Sequence, residues 1–254
     1  MKSSRPLFYQ CRVALIAAGL VLLSGLAHAK ANDDDVMVEE VANPSGKIEI
    51  QYEAEALAPY RQRRGKWSTI LGLNASMLEP KKYFSQIDGL SFGDIFGSDK
   101  PISLGQLQLG TQYNFSLGSI GVSAEAGFGQ VINGRMLTII KKGISATYTM
   151  NNLWPEPYIA PYLSGEIFSF DYKEDEGSAG TNSGSTAPGT SFTVGVLFQL
   201  NWLDPNSALD ARNSSGLNNI FLDVFASQYN TSSSSTDPNF ESDLNWGAGL
   251  KFEF

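Results

Sequence analysis

The sequence predicts an all-β protein, a closed antiparallel transmembrane β-barrel of eight strands, with ten strands as the alternative. Three observations carry this. Segments of eleven residues or more alternate apolar and polar side chains, longer than the usual soluble strand and long enough for a tilted strand to cross a bilayer. The chain opens on an export signal. Beyond that signal no stretch approaches the roughly 18–20 apolar residues of a membrane helix, so a membrane location must be reached by strands.

Residues 1–29 form the signal peptide. Lys2, Arg5 and Arg12 supply a basic start, and residues 13–26 an apolar run too short to span. Ala27-His28-Ala29 is a small-residue cleavage site, which predicts a mature start at Lys30; an uncleaved anchor is the alternative. No cysteine follows the cut, so this is not a lipoprotein signal. Cleavage removes Cys11 and His28, the only Cys and the only His. The mature part then offers no disulfide, thiol nucleophile or imidazole. It keeps all 26 acidic residues against 15 of the 18 basic ones, which argues against a nucleic-acid surface.

Residues 30–65 are expected to be a periplasmic linker and residues 66–254 the barrel. The linker starts with Asp33, Asp34, Asp35, Glu39 and Glu40, then Asn43-Pro44-Ser45-Gly46. Residues 47–57 alternate Ile48, Ile50 and Tyr52 with Lys47, Glu49 and Gln51, so an extra strand there stays open.

From Trp67 onward alternation dominates. Trp67, Thr69, Leu71, Leu73, Ala75 and Met77 share one face. Leu107, Leu109, Thr111, Tyr113 and Phe115 oppose Gln106, Gln108, Gln112 and Asn114. After a tight turn at 117–119, Ile120, Val122, Ala124, Ala126 and Phe128 oppose Ser123 and Glu125. Asn133-Gly134 marks a hairpin into a strand over about 137–150, with Ile140 and Ile144 outward and Ser145, Thr147 and Thr149 inward. Odd residues point inward on both of these strands, so paired residue numbers must have an even sum. A sum of 266 would set Lys141 opposite Glu125. Residues 157–172 are aromatic-rich. Pro161 argues against a regular central strand, and Glu166 on the aromatic face suggests a bulge. Residues 173–189 read as a loop whose Glu174, Asp175 and Glu176 form a solvated charge run rather than a calcium site. Phe192, Val194, Val196, Phe198, Leu200 and Trp202 define another face, followed by a polar connection at 204–218 with one short helical turn after Pro205. The strand at 220–229 has a weaker face assignment, and the last runs from Asn245 to Phe254.

An even strand count closes the sheet with both termini on one side, and lipid offers no hydrogen bonds to an open edge. With a periplasmic N-terminus the outer connections are 79–102, 131–136, 173–189 and 230–242, three of them long; the long inner connection at 204–218 is the exception. Trp67, Tyr113, Tyr148, Trp202 and Trp246 are the expected aromatic girdle. Gln106, Gln108, Gln112, Asn114, Glu125, Lys141 and Lys251 are the expected polar network of the lumen, Glu125 pairing with Lys141 or Lys251. A soluble exported sandwich is the alternative fold; it explains neither the strand lengths nor the terminal aromatic.

The C-terminal run Gly249-Leu250-Lys251-Phe252-Glu253-Phe254 resembles the assembly signal of outer-membrane barrels, with Gly249, Phe252 and Phe254 carrying the likeness. With the signal peptide and the alternation, the chain resembles the small eight-stranded OmpA- or OmpW-type outer-membrane barrels. That resemblance implies a place in the bacterial outer membrane, contact with its lipid and lipopolysaccharide, and insertion by the barrel-assembly machinery. It implies no shared function. No peptidoglycan-binding domain is expected after Phe254.

Catalysis is not expected. Outer-membrane hydrolases resemble one another in using a histidine, the group best suited to accept a proton near neutrality, and the mature part has none. No cofactor or metal ligand set is expected without Cys or His. The leading expectation is a structural or surface-interaction barrel, its loops open to an unknown extracellular ligand. A narrow porin-like channel is the alternative, favoured if segments 47–57 and 84–96 add two strands. Loop 79–102, with Asp88, Asp94, Asp99, Phe92, Ile95 and Phe96, is expected to fold over the barrel mouth.

Overall fold

The computed structural model describes residues 59–97, 100–177 and 180–254. The signal peptide, its cleavage site, the segment 47–57 and Asp99 lie outside the described residues. Among the described residues nine strands form: β1 (Trp67–Leu78), β2 (Ile102–Phe115), β3 (Gly118–Asn133), β4 (Arg135–Thr149), β5 (Ile159–Asp175), β6 (Thr181–Ser185), β7 (Gly189–Gln199), β8 (Asn219–Ser232) and β9 (Asn245–Glu253). Three helices accompany them there: α1 (Tyr60–Arg63), α2 (Phe92–Phe96) and α3 (Pro205–Ser215).

All neighbours pair antiparallel, and pairing of β1 with β9 and of β4 with β5 closes a ring of eight strands. The short β6 pairs only with the far end of β5, so it lengthens one hairpin and is not a ninth stave. Starting at Ser76, paired residues run through Gly247, Phe225, Gly195, Tyr162, Thr149 and Ser119 to Asn114. The Asn114 N–H then donates to the carbonyl of Lys66, ten residues before Ser76. That stagger tilts the strands and sets a bore that side chains can fill.

The two rims differ. Ile70 pairs with Glu253, so chain entry and exit share one rim, the terminal rim; the distal rim carries residues 79–97 and 233–244. Alternation sorts the faces as the sequence predicts. Leu109 is 57% exposed, Ile144 64% and Ile167 63%, while Ser123 and Ser145 on the opposite faces are buried. The exposed apolar side chains form a belt around the ring, far larger than the scattered patches of a monomeric soluble protein.

The β3–β4 register keeps the required parity but not the expected sum. Asn133 pairs with Arg135 across Gly134, which adopts φ +73°, so pairs add to 268 rather than 266. Gly127, not Glu125, therefore faces Lys141.

The expected break in the aromatic segment is absent. β5 runs in unbroken register, and its aromatic face points inward, so Tyr162, Phe168 and Phe170 are buried and Glu166 lies among them by design of the alternation. Pro161 is tolerated because the β4–β5 ladder ends at Thr149 and Tyr162, so its missing N–H lies beyond the ladder while its carbonyl still accepts from Met150. Residues 173–189 are likewise not a loop: β5 extends to Asp175 and β6, from Thr181, returns along it. Hence two, not three, of the distal connections are long. The helical turn after Pro205 is an eleven-residue helix, capped by Asp204 at its start and closed by Gly216 at φ +73°. Segment 84–96 contributes only an isolated bridge between Phe84 and Ser91 and then α2, so it adds no stave.

The shortest connection on the terminal rim is the two-residue turn Ser116-Leu117 between β2 and β3. It depends on Gly118, at φ +149°, where an added Cβ would lie 2.2 Å from the Thr149 carbonyl oxygen. Gly118→Ala is expected to destabilise the folded barrel by about 1–3 kcal/mol through backbone strain, read as a lower urea midpoint in detergent.

Candidate functional site

The lumen is built in three layers. At the distal end, Leu78, Ile102, Leu104, Leu137, Ile139 and Phe170 enclose an apolar core. Loop 79–97 drops into it, with Phe92 and Phe96 buried, so the loop does fold over the barrel mouth. Ser91 caps α2 by accepting from the Asp94 N–H.

The loop is fastened by one cation. Arg135, beside the Gly134 turn, donates through Nη1 to Ser85 Oγ at 3.1 Å and to Glu174 at 3.0 Å, and through Nη2 to Asp88 at 2.7 Å. It also pairs with Glu176 at 2.5 Å. Tyr83 donates to the second oxygen of Glu174 at 3.0 Å. Glu174 is fully buried, so the expected solvated run 174–176 is instead partly an interior anchor. Hydrogen bonds from Arg135 hold the Asp88 carboxyl well below its usual range, and burial, then Glu174, pushes the Tyr83 phenol upward.

The central layer is ionic. Lys141 Nζ, on a side chain 2% exposed, lies 2.7 Å from Glu166, 3.1 Å from Glu125 and 2.8 Å from the Gln106 carbonyl oxygen. Gln108 and Ser145 donate to Glu125, and Ser191 to Glu166. The expected set is thus partly assembled: Gln106, Gln108, Glu125 and Lys141 meet here. Lys251 does not pair with Glu125. It lies over the Tyr162 ring at 5.5 Å, and Tyr162 donates to Asp223 at 3.0 Å. Two lysines and three carboxylates line one small cavity of about 40 Å³, room for a few waters at most.

Gln112 and Asn114 belong to a third layer at the terminal rim. Glu253 accepts from Gln112 at 3.0 Å, from Asn219 at 3.2 Å and from the Tyr60 hydroxyl at 2.9 Å. Arg63 reaches Glu156 and Asn219, both at 3.0 Å. Segment 59–65 therefore plugs this mouth. Burial lowers the Arg63 pKa, and burial with Glu253 raises that of Tyr60.

Sequence reasoning missed Glu166, Asp223, Glu253, Tyr60 and Arg63 as members of these layers. Inward parity on β5, β8 and β9 could have found the three carboxylates; nothing in the local pattern marks Tyr60 or Arg63. Among the aromatic residues, Trp67 and Tyr113 meet edge to face at 5.2 Å on the terminal rim, where Tyr148 and Trp202 also lie; Trp246 stands toward the distal rim. At Gly249 an added Cβ would lie 2.3 Å from the Leu73 backbone carbonyl oxygen and 2.1 Å from the Asn74 side-chain Oδ1, so that position must stay bare for β9 to pair with β1, while Phe252 and Phe254 are half-buried.

No protein-family model and no curated protein sequence matches this chain. Fourteen solved chains match in shape. They include Neisserial surface protein A (12% identity, 75% of this chain and 98% of that one, TM-score 0.40). Outer membrane protein OprG of Pseudomonas aeruginosa is similar at 12% identity over 74% of this chain and 95% of that one, TM-score 0.41. So is Ail, the attachment invasion locus protein of Yersinia pestis, at 14% over 74% and 97%, TM-score 0.39. The strand pairing, not these likenesses, establishes the ring of eight.

Two outcomes test this construction. Lys141→Met leaves Glu125 and Glu166 buried without their cation, and is expected to remove about 3–5 kcal/mol of stability in detergent unfolding. Adding Glu166→Gln is expected to return part of that loss, because the two side chains act as one unit. The depressed Asp88 pKa makes its hold on the loop complete above the ordinary carboxylate pKa of about 3.9 and lost as pH falls below it. Amide signals of residues 85–90 in micelles should therefore stay unchanged from pH 7 to 5 and shift only in stronger acid.

Proposed function

We propose that this protein is a sealed, non-enzymatic barrel of the bacterial outer membrane, with a structural or surface-interaction role. One observation carries the reading: side chains fill all three layers of the bore, and the cavity left in the central one, about 40 Å³, has room for a few waters at most. The apolar belt supports the membrane location. A polypeptide surface of that kind is stable against hydrocarbon, and the ring leaves no strand edge unpaired within it. Lipid and lipopolysaccharide are then its lateral neighbours, and the likeness of the β9 run Gly249–Phe254 to an assembly signal supports insertion by the barrel-assembly machinery. The lumen's two lysines and three carboxylates are engaged with one another or with neighbouring hydroxyl and amide groups.

The surface role rests on the distal cap. Loop 79–97 is held rigidly from below by Arg135, and such a loop can present a fixed shape at little ordering entropy. Reconstitution in planar bilayers tests the reading. The wild-type protein is expected to give no sustained conductance steps at moderate voltage. Stable ohmic steps would establish the narrow channel in its place.

A further inference from the structure

The closure between the first and last strands is the slightest in the ring. β1 and β9 share seven paired positions, Ile70–Ser76 against Glu253–Gly247, whereas β3 and β4 share fifteen. β9 is also the shortest stave, at nine residues. Beyond this seam, backbone bonds are added by the mutual pair between Thr69 and Phe254 at the terminal rim and by the Lys81 N–H to the Glu241 carbonyl at the distal rim.

A carboxylate bridges the seam from inside. Glu253 belongs to β9; its donors come from β2 (Gln112), from β8 (Asn219) and from the segment that precedes β1 (Tyr60). The same segment is fixed to the opposite wall, since Glu156 in the β4–β5 connection accepts from the Tyr60 backbone N–H at 2.7 Å and from Arg63 at 3.0 Å. Arg61 and Arg64 add bonds to Asn152 and to the carbonyls of Asn152 and Phe115. Segment 59–65 is thus a strap across the terminal mouth, tied to the seam through the Tyr60 hydroxyl and to the far wall through the Tyr60 N–H and Arg63.

The strap does not hold itself in place. α1 is a single turn of four residues, too short for stability of its own. Nε and Nη1 of the buried Arg63 make no hydrogen bond, so part of its interior is poorly satisfied. What orders it are bonds to the surrounding walls, the Glu253 and Glu156 carboxylates among them, and Glu253 is in position only when β9 has paired with β1.

We propose that the Tyr60–Arg63 strap is a lock on the β1–β9 seam: it docks after the ring closes and then holds the first and last strands together through Glu253. Its action is local. The other ladders are long enough to persist without it, so loss of the lock should loosen β1 and β9 and leave the rest of the ring protected.

Amide hydrogen exchange on the full processed chain in detergent micelles tests this with Tyr60→Phe, which removes only the hydroxyl. Exchange at Leu71–Ala75 and Ala248–Phe252 is expected to quicken about tenfold, the value of one hydrogen bond to a charged group, while the β3–β4 ladder stays unchanged. Glu156→Ala is the second variant. It touches no seam residue but frees the strap's far end, and it should give the same seam-specific increase. Unchanged exchange at the seam in either variant overturns the proposal. So does a uniform increase over all ladders, which would make the strap a general contributor to stability.

Discussion

A backbone that faces hydrocarbon has nowhere to place its amides except on a neighbouring strand. Almost everything in this molecule follows from that. The sheet must close, so β9 returns to β1, and the alternation that greases the outside sends every second residue into a bore too narrow to hydrate it. Polar residues inside then need partners of their own. The chain meets this demand in layers: apolar side chains where the distal loop enters, an ion cluster at the middle, and an amide and carboxylate network where the strap crosses.

The middle layer shows how strict the demand is. Lys141 is too deep for water to serve it, yet three acceptors stand within 3.1 Å, and each of the two carboxylates is supported by hydroxyl or amide donors. Removing a single member leaves charge with no medium to screen it. A bore of this kind is rigid because its parts are mutually dependent, not because any one bond is strong.

Much of this architecture was legible in the residues and some was not. The outward faces of β1, β2, β3, β7 and β9 followed from periodicity alone, because a half-apolar strand has only two ways to face. The even parity of the β3–β4 register followed too; the sum did not, since Gly134 permits a tighter turn than the Asn133-Gly134 pair suggests. β5 misled for a physical reason. Its aromatics resemble a lipid-facing set, but in a bore that closes over a folded loop large rings are needed inside as well, and Phe168 and Phe170 fill that need. The acidic stretch 174–176 misled in the same way, since one arginine 39 residues away in the chain was enough to draw Glu174 inward. Tyr60 and Arg63 were out of reach because their partners lie about ninety residues or more further on, and no local pattern encodes a contact of that separation.

Gly143 sits beside Glu166 in the central layer, and any side chain there would meet the Glu166 carboxylate, whose Oε1 lies 2.2 Å from where a Cβ would stand. The two positions are therefore not free to diverge separately. In a lineage descended from this protein, a larger residue at 143 is accepted only after 166 has become smaller or turned away, and the reverse order passes through a less stable intermediate. History, for this pair, has a preferred direction, and a comparison of descendants should find the bulk of one residue traded against that of the other.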